Sequence, residues 1–318
     1  MPVASPTSSS RTASTALGYG ACALAGTLWG TGFYFGKIAL TAMGVGHMVL
    51  YRFLFALLGL APLMRRPNLN RREWQLLLLA SFLGIPVQFL LQFWGLALTT
   101  VSHAALMVGT MPVILAVGAV IFTHERLDIK GWFALAGSTT GVVLITLSSV
   151  HGAAGTHGAG HGVGHGPSLA GDLLVVLSLV IALGWLLINR HLMQSHSAIT
   201  ITAWGILAGV LMLALMVIPF AGWPPVHAVS SRVWFALIAS GLFCTALTTF
   251  LWNWGIRHVP ASRAGVFLNI EPALGSILGV ELMGDKLGPW TWAGGALILT
   301  AAIVLTTTGR AEAEMLLE

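Results

Sequence analysis

The chain has 318 residues, 56% of them hydrophobic and only 8% charged, with a formal charge of +5 and a mean hydropathy of +0.87. A soluble domain carries about 25% charged residues, so this composition excludes a water-soluble globule and leaves most of the surface to lipid. Long continuous apolar runs, in place of alternating apolar and polar residues, exclude a membrane β-barrel and leave helices, whose backbone groups are satisfied internally.

In chain order, residues 1–15 are Ser, Thr, Ala and Pro with a single Arg11, and read as a disordered cytoplasmic tail without the pattern of a cleavable signal. A helix needs about 20 apolar residues to cross the hydrocarbon. Runs bounded by charges, prolines and glycine clusters predict five spans at 17–38, 45–64, 74–96, 102–123 and 130–149. A Gly/His-rich linker over 150–169 separates them from five more at 170–190, 198–220, 232–256, 262–283 and 289–308, and residues 309–318 form a second cytoplasmic tail. The fold class is an all-α membrane protein of ten transmembrane helices.

Lys and Arg orient it. With the N-terminus inside, the inner segments carry eleven (Arg11, Arg65, Arg66, Arg71, Arg72, Arg126, Lys130, Arg190, Arg257, Arg263, Arg310) and the outer segments three (Lys37, Arg232, Lys286). That bias assigns both termini to the cytoplasm and the linker to the outside.

The two halves, 16–149 and 170–308, also resemble each other. Moved by 160 positions, the stretch from Trp94 to Thr146 lands on Trp254 to Thr306 without a gap. Trp94-Gly95 falls on Trp254-Gly255, Ser102 on Ser262, Pro112 on Pro272, and Trp132 on Trp292. The triplets Glu125-Arg126-Leu127 and Asp285-Lys286-Leu287 coincide as well. Five spans per half is an odd number, so the second repeat is inverted relative to the first, a design in which the halves rock to alternate access to a central site.

Those residues carry a family resemblance. Trp29-Gly30 followed by Lys37, Tyr51-Arg52-Phe53, the Pro112 to Glu125-Arg126-Leu127 stretch, and the Glu271-Pro272 to Gly284-Asp285-Lys286-Leu287 stretch occur in this order. In them the chain resembles the ten-helix EamA-type exporters of the drug/metabolite transporter superfamily across nearly its whole length. The resemblance implies a bacterial inner-membrane exporter of amino acids or similar metabolites with a central cavity between the halves. The chain departs from the family in Asp285, where Glu is usual, and in its His-rich linker.

Several side chains are candidates for chemistry. Arg52 lies inside the second predicted span, where an arginine costs about 2.5–3.5 kcal/mol to insert; it either faces a cavity and binds a carboxylate, or snorkels to the interface. Glu271 sits near the middle of the ninth predicted span and is followed by Pro272, which removes a backbone donor. Its counterpart in the first half is Met111-Pro112, so a hinge is shared at Pro112 and Pro272 while the acid is not. Glu271 is thereby the candidate proton or substrate carrier, or alternatively a neutral group bonded to a neighbouring helix. Gln88 and Gln92, one turn apart, and Asn253 and Asn269 offer amides to a substrate or to interhelical contacts. Trp29, Tyr34, Trp94, Trp252 and Trp254 can line a cavity, although tryptophan also gathers at membrane interfaces.

His151, His157, His161 and His165 are imidazoles of the kind that bind zinc, copper or nickel. Ordering a flexible segment around a metal is costly, and a simple linker is the preferred reading. Cys22 and Cys244 supply neither a disulfide framework nor a thiolate metal site. No cofactor is expected, since there is no Gly-rich loop ending in Lys-Ser or Lys-Thr, and no basic run interleaved with aromatics points to nucleic acid. The expected partners are a small-molecule substrate, membrane lipid and the proton. The leading reading is a secondary exporter, not an enzyme. A divalent-metal transporter using the His-rich linker is the alternative, and a membrane enzyme is disfavoured because no nucleophile–base set or His-Glu-x-x-His motif lies in the spans.

Overall fold

A computed structural model describes residues 8–123, 129–155, 167–224, 226, 229–256, 258–259 and 265–315. Among them every regular element is a helix. The first half contains α1 (Ser8–Gly30), α2 (Gly32–Leu40), α3 (Val45–Leu60), α4 (Arg71–Phe82), α5 (Gln88–Leu98), α6 (Val101–Val108), α7 (Met111–Thr123) and α8 (Ile129–Gly155). The second contains α9 (Leu169–Met193), α10 (Ala198–Ala221), α11 (Ser231–Ile238), α12 (Thr248–Gly255), α13 (Ile270–Met283) and α14 (Pro289–Met315). Among the described residues six helical segments are long and apolar enough to cross a membrane: Val45–Leu63, Arg71–Leu98, Val101–Gly118, Leu169–Met193, Ala198–Ala221 and Ser231–Gly255.

Local chemistry sets many of the boundaries. Asn70 opens α4 with a reciprocal capping box, its side chain accepting from Glu73 N at 2.9 Å while Glu73 Oε2 accepts from Asn70 N at 2.8 Å. Thr100, Ser168 and Ser230 cap α6, α9 and α11 through their hydroxyl oxygens. Gly284, at φ 72°, ends α13 in the left-handed conformation that other residues resist. The helices also run past the expected tails. Within the described residues α1 already runs at Ser8, and α14 continues to Met315 through Ala311–Glu314, which are strong helix formers. Residues 8–15 and 309–315 are therefore helical, where tails were expected.

Two helical runs are interrupted by π-helical turns, Leu83–Val87 between α4 and α5, and Ala239–Leu247 between α11 and α12. Moved by 160 positions, the first falls inside the second, so the wider turn recurs at the same place in each half. Such turns add a residue to one turn of helix and gather at functional sites.

Packing joins the halves to each other. α8 pairs with α14, α5 with α9, α6 with α13, α3 with α10 and with the second π-turn, and α1 with α12. Small residues permit the close approaches. A Cβ on Gly95 would stand 2.8 Å from Gly171 O, and one on Gly141 would stand 2.6 Å from Gly294 O. The apolar core gathers around α3, with Met48, Val49, Phe53 and Ala56 packed against Phe93, Leu96, Val210 and Leu213.

Candidate functional site in the bundle interior

Arg52 is the only Lys, Arg, Asp or Glu in α3, and it is buried with 6% of its surface exposed. Its Nε donates to Thr245 Oγ1 at 3.1 Å, and Thr245 Oγ1 in turn donates to Ser240 O at 3.0 Å. That second bond reaches back five residues, a spacing the π-turn supplies and a regular helix does not. The guanidinium carbon lies 5.3 Å from the ring centroids of both Phe89 and Phe93 on α5. Gly32 lies beside its terminal nitrogens, together with Cys244, whose Sγ is 3.2 Å from Thr31 Oγ1. The cation is thus walled by aromatics and a helix start, with donors to spare.

Glu271 occupies the first turn of α13 and is partly buried. A short 3-10 helix, Gly265–Asn269, precedes it, so the residue read as mid-span stands at a helix start. There Pro272 costs no intrahelical bond, and the helix dipole favours a negative charge. The first half is alike: α6 stops at Val108, and Pro112 lies in the first turn of α7. Glu271 O packs against Gly30, where an added Cβ would stand 3.2 Å from it, which holds α13 against the end of α1. Arg52, Cys244 and Glu271 lie within electrostatic reach of one another. Arg52 and Glu271 nevertheless close no ion pair among the described residues.

The other sequence candidates scatter around this centre. Trp29, one residue before Gly30, packs on Trp252 with ring centroids 5.4 Å apart. Gln88 and Gln92 are buried on α5 beside Phe89 and Phe93, and Gln88 Oε1 has no hydrogen-bond partner among the described residues. Asn269 is buried immediately before α13, and Asn253 is partly buried on α12. Tyr34 meets Phe35 in a tilted ring contact, centroids 5.4 Å apart, against the core. Trp94 is 48% exposed and makes no ring contact with the cluster among the described residues. His151 falls within the α8 backbone, while His157, His161 and His165 lie outside the described residues.

A second polar cluster was not singled out by sequence. Asp172, in the first turn of α9, accepts from Thr99 Oγ1 at 2.7 Å, and its other oxygen lies 3.1 Å from His103 Nδ1. Since a carboxylate only accepts, that contact puts a proton on Nδ1. His103 Nε2 lies 3.4 Å from Thr291 Oγ1. The sequence of hydroxyl, imidazole and carboxylate has the composition of a hydrolytic triad. All three side chains, however, are at most 1% exposed, and no substrate carbonyl has a path to Thr291. Lys37 adjoins this cluster and donates to the carbonyls of Leu96 and Thr99, both at 2.7 Å, neutralising the C-terminal end of α5. The sequence signal was Asp172 itself, an acid within an apolar run.

Comparison with known proteins places the arrangement. Residues 16–147 and 169–307 each match the family described as EamA-like transporter family. The chain belongs to this family. As an EamA-family protein it is a multi-pass membrane protein and a transporter of small molecules. It is 23% identical to an uncharacterized transporter of Archaeoglobus fulgidus over 90% of this chain and 95% of that one. It is 24% identical to the uncharacterized transporter YetK of Bacillus subtilis over 67% of this chain, a match spanning 62% of YetK's length. A solved protein structure superposes with a TM-score of 0.61 at 20% identity, covering 94% of this chain and 98% of its own, and shares the fold.

Proposed function

We propose that this EamA-family transporter exports amino acids or similar zwitterionic metabolites, with the cargo bound between Arg52 and Glu271. One observation carries the reading. Two opposite charges stand inside the bundle within each other's electrostatic reach, yet close no ion pair among the described residues. A buried charge is expensive unless paired, so a gap between two such charges fits a ligand bearing both signs. The carboxylate of the cargo meets the free Arg52 donors and its ammonium meets Glu271, with Phe89, Phe93, Trp29 and Trp252 around it.

The transport cycle in this reading is alternating access by ten spans in two inverted repeats in the inner membrane, with both termini in the cytoplasm. The family match to each half, the recurrence of the π-turn and the packing of halves on each other support it. Glu271 is the group that exchanges a proton when the gradient drives export.

The test is uptake into inside-out vesicles of labelled amino acids, nucleobases and divalent metals, with and without a proton gradient. Uptake of an amino acid, lost in Glu271→Gln and in Arg52→Gln, is the expected result. Uptake of metals alone moves the function to the His-rich segment and reduces Arg52 to a packing role.

A further inference from the structure

Away from Arg52 and Glu271, where Lys37 ends the first helical run, the bundle holds a cavity of about 320 Å³. Lys37 and Arg232 supply two cations to its wall, Asp285 one carboxylate, and Thr41, Thr100 and Ser230 supply hydroxyls. Asp285 is fixed, its Oδ2 accepting from Ser102 N at 2.8 Å in the first turn of α6. Lys37 is fixed by the carbonyls of Leu96 and Thr99, which leaves one of its three protons to the cavity. Arg232 has no hydrogen bond or ion pair among the described residues, and keeps its whole fork of donors. Lys37 lies within electrostatic reach of Asp285 without closing on it. The wall therefore carries two positive charges against one negative, all held apart.

We infer that this cavity is a second binding site for a small α-amino acid, separate from the interior one. The carboxylate of the ligand takes Lys37 and Arg232, since Arg presents a planar fork matched to it. The ammonium takes the free face of Asp285. The volume, at the low end of ligand sites, suits a small molecule. α2 connects the two sites: its first residue, Gly32, lies beside Arg52, and Lys37 is five residues on, a rise of about 8 Å along the helix. This places the cavity one step along the path from the interior site. The inference rests on the export reading for the class of ligand, and on the cavity itself for the site.

The experiment is calorimetric titration of the full chain in nanodiscs with alanine, propionate and alaninamide. Alanine is expected to bind best and propionate more weakly, since it lacks the ammonium, while alaninamide, without a carboxylate, does not bind. Arg232→Gln, on an exposed residue, weakens alanine roughly tenfold by removing a charge-assisted contact. Asp285→Asn keeps an acceptor for Ser102 N but abolishes the preference for alanine over propionate. Met283→Trp fills the cavity from its apolar wall and removes the alanine binding that survives Glu271→Gln in the interior site. In Glu271→Gln the same binding persists while vesicle transport is lost, so the two readings fail separately. Alanine binding unchanged by both Arg232→Gln and Met283→Trp overturns the site, as does sulfate binding as well as alanine does. Binding that persists in a chain carrying no amino acid in vesicles overturns the export reading and leaves the site.

Discussion

Two polar clusters are buried in this bundle, and they are built on opposite rules. The His103–Asp172–Thr99 cluster is closed: both carboxylate oxygens are used, the imidazole is bonded, and each side chain is at most 1% exposed. The Arg52–Glu271 cluster is open. The guanidinium uses one of its five donors on Thr245, and Glu271, a partly buried residue, has no hydrogen-bond partner among the described residues. Ionisable groups are costly in either place. A structure that satisfies one set fully and leaves the other unsatisfied separates the groups that hold helices together from those that await a ligand.

The largest effects should come from breaking the open cluster. Arg52→Met removes the charge while roughly keeping the volume of its stem, and transport is expected to fall roughly 100-fold, the order of a lost charged contact. The melting midpoint should change little or rise, since the variant no longer buries an unpaired cation. Transport near the wild-type rate in a correctly inserted Arg52→Met protein would sink the assignment of the cargo site.

The closed cluster should respond the other way, in stability before transport. Asp172→Leu leaves His103 and Thr99 buried without their acceptor, and the expected cost is about 3–5 kcal/mol of stability, the order found when one partner of a buried pair is removed. Thermal unfolding in detergent reads it directly. The double variant His103→Leu/Asp172→Leu should recover a substantial part, because no buried imidazole is then left without its carboxylate and only the smaller Thr99 and Thr291 hydroxyls lose these partners. An Asp172→Leu protein as stable as wild type but inactive would transfer that residue to the functional side of the comparison.

The contrast also explains what could be read from sequence. Helix positions were legible because hydropathy is a local property, and the described helices overlie the apolar runs from 17–38 to 289–308. Arg52 and Glu271 were legible for the same reason, each a charge standing within an apolar stretch. Partnership was not. Asp172 and His103 are 69 residues apart, and Arg52 and Thr245 are 193 apart, distances over which periodicity carries no information. The π-turns escaped too, since a one-residue widening leaves the hydrophobic pattern intact; only Pro86 within the first marks it. The sequence puts Pro272 in mid-span, whereas the α-helix begins beside it, because proline at a first turn disturbs no bond.

A middle-sized effect belongs to Thr245, which connects Arg52 to the π-turn. Thr245→Val keeps the shape of the side chain while deleting the hydroxyl that accepts from Arg52 Nε and donates to Ser240 O. The cation stays in place between Phe89 and Phe93 but is less firmly aimed. The apparent KM for cargo should rise about tenfold, in line with a hydrogen bond to a charged group of about 1.5 kcal/mol or more. Transport at saturation should change much less. A drop in maximal rate at constant KM would make the π-turn a moving part, with no part in positioning Arg52.

The smallest effect tests whether the halves, alike in sequence, are alike in use. Trp94 and Trp254 occupy the same place in the two repeats, yet their surroundings differ. The Trp254 ring lies 4.1 Å from that of His258, one helical turn on, and its position within the half is partly buried. In the first half the residue one turn on is Leu98, and Trp94 is 48% exposed. Trp94→Ala therefore removes little packing and should change transport less than about twofold, since scattered exposed apolar residues contribute little. Trp254→Ala forfeits a stacked contact of about 0.5–1.5 kcal/mol beyond its burial and should lower the melting midpoint measurably. Equal losses in the two variants would mean that Trp94 contacts something the bundle itself does not supply, and would move that face of α5 from lipid toward cargo.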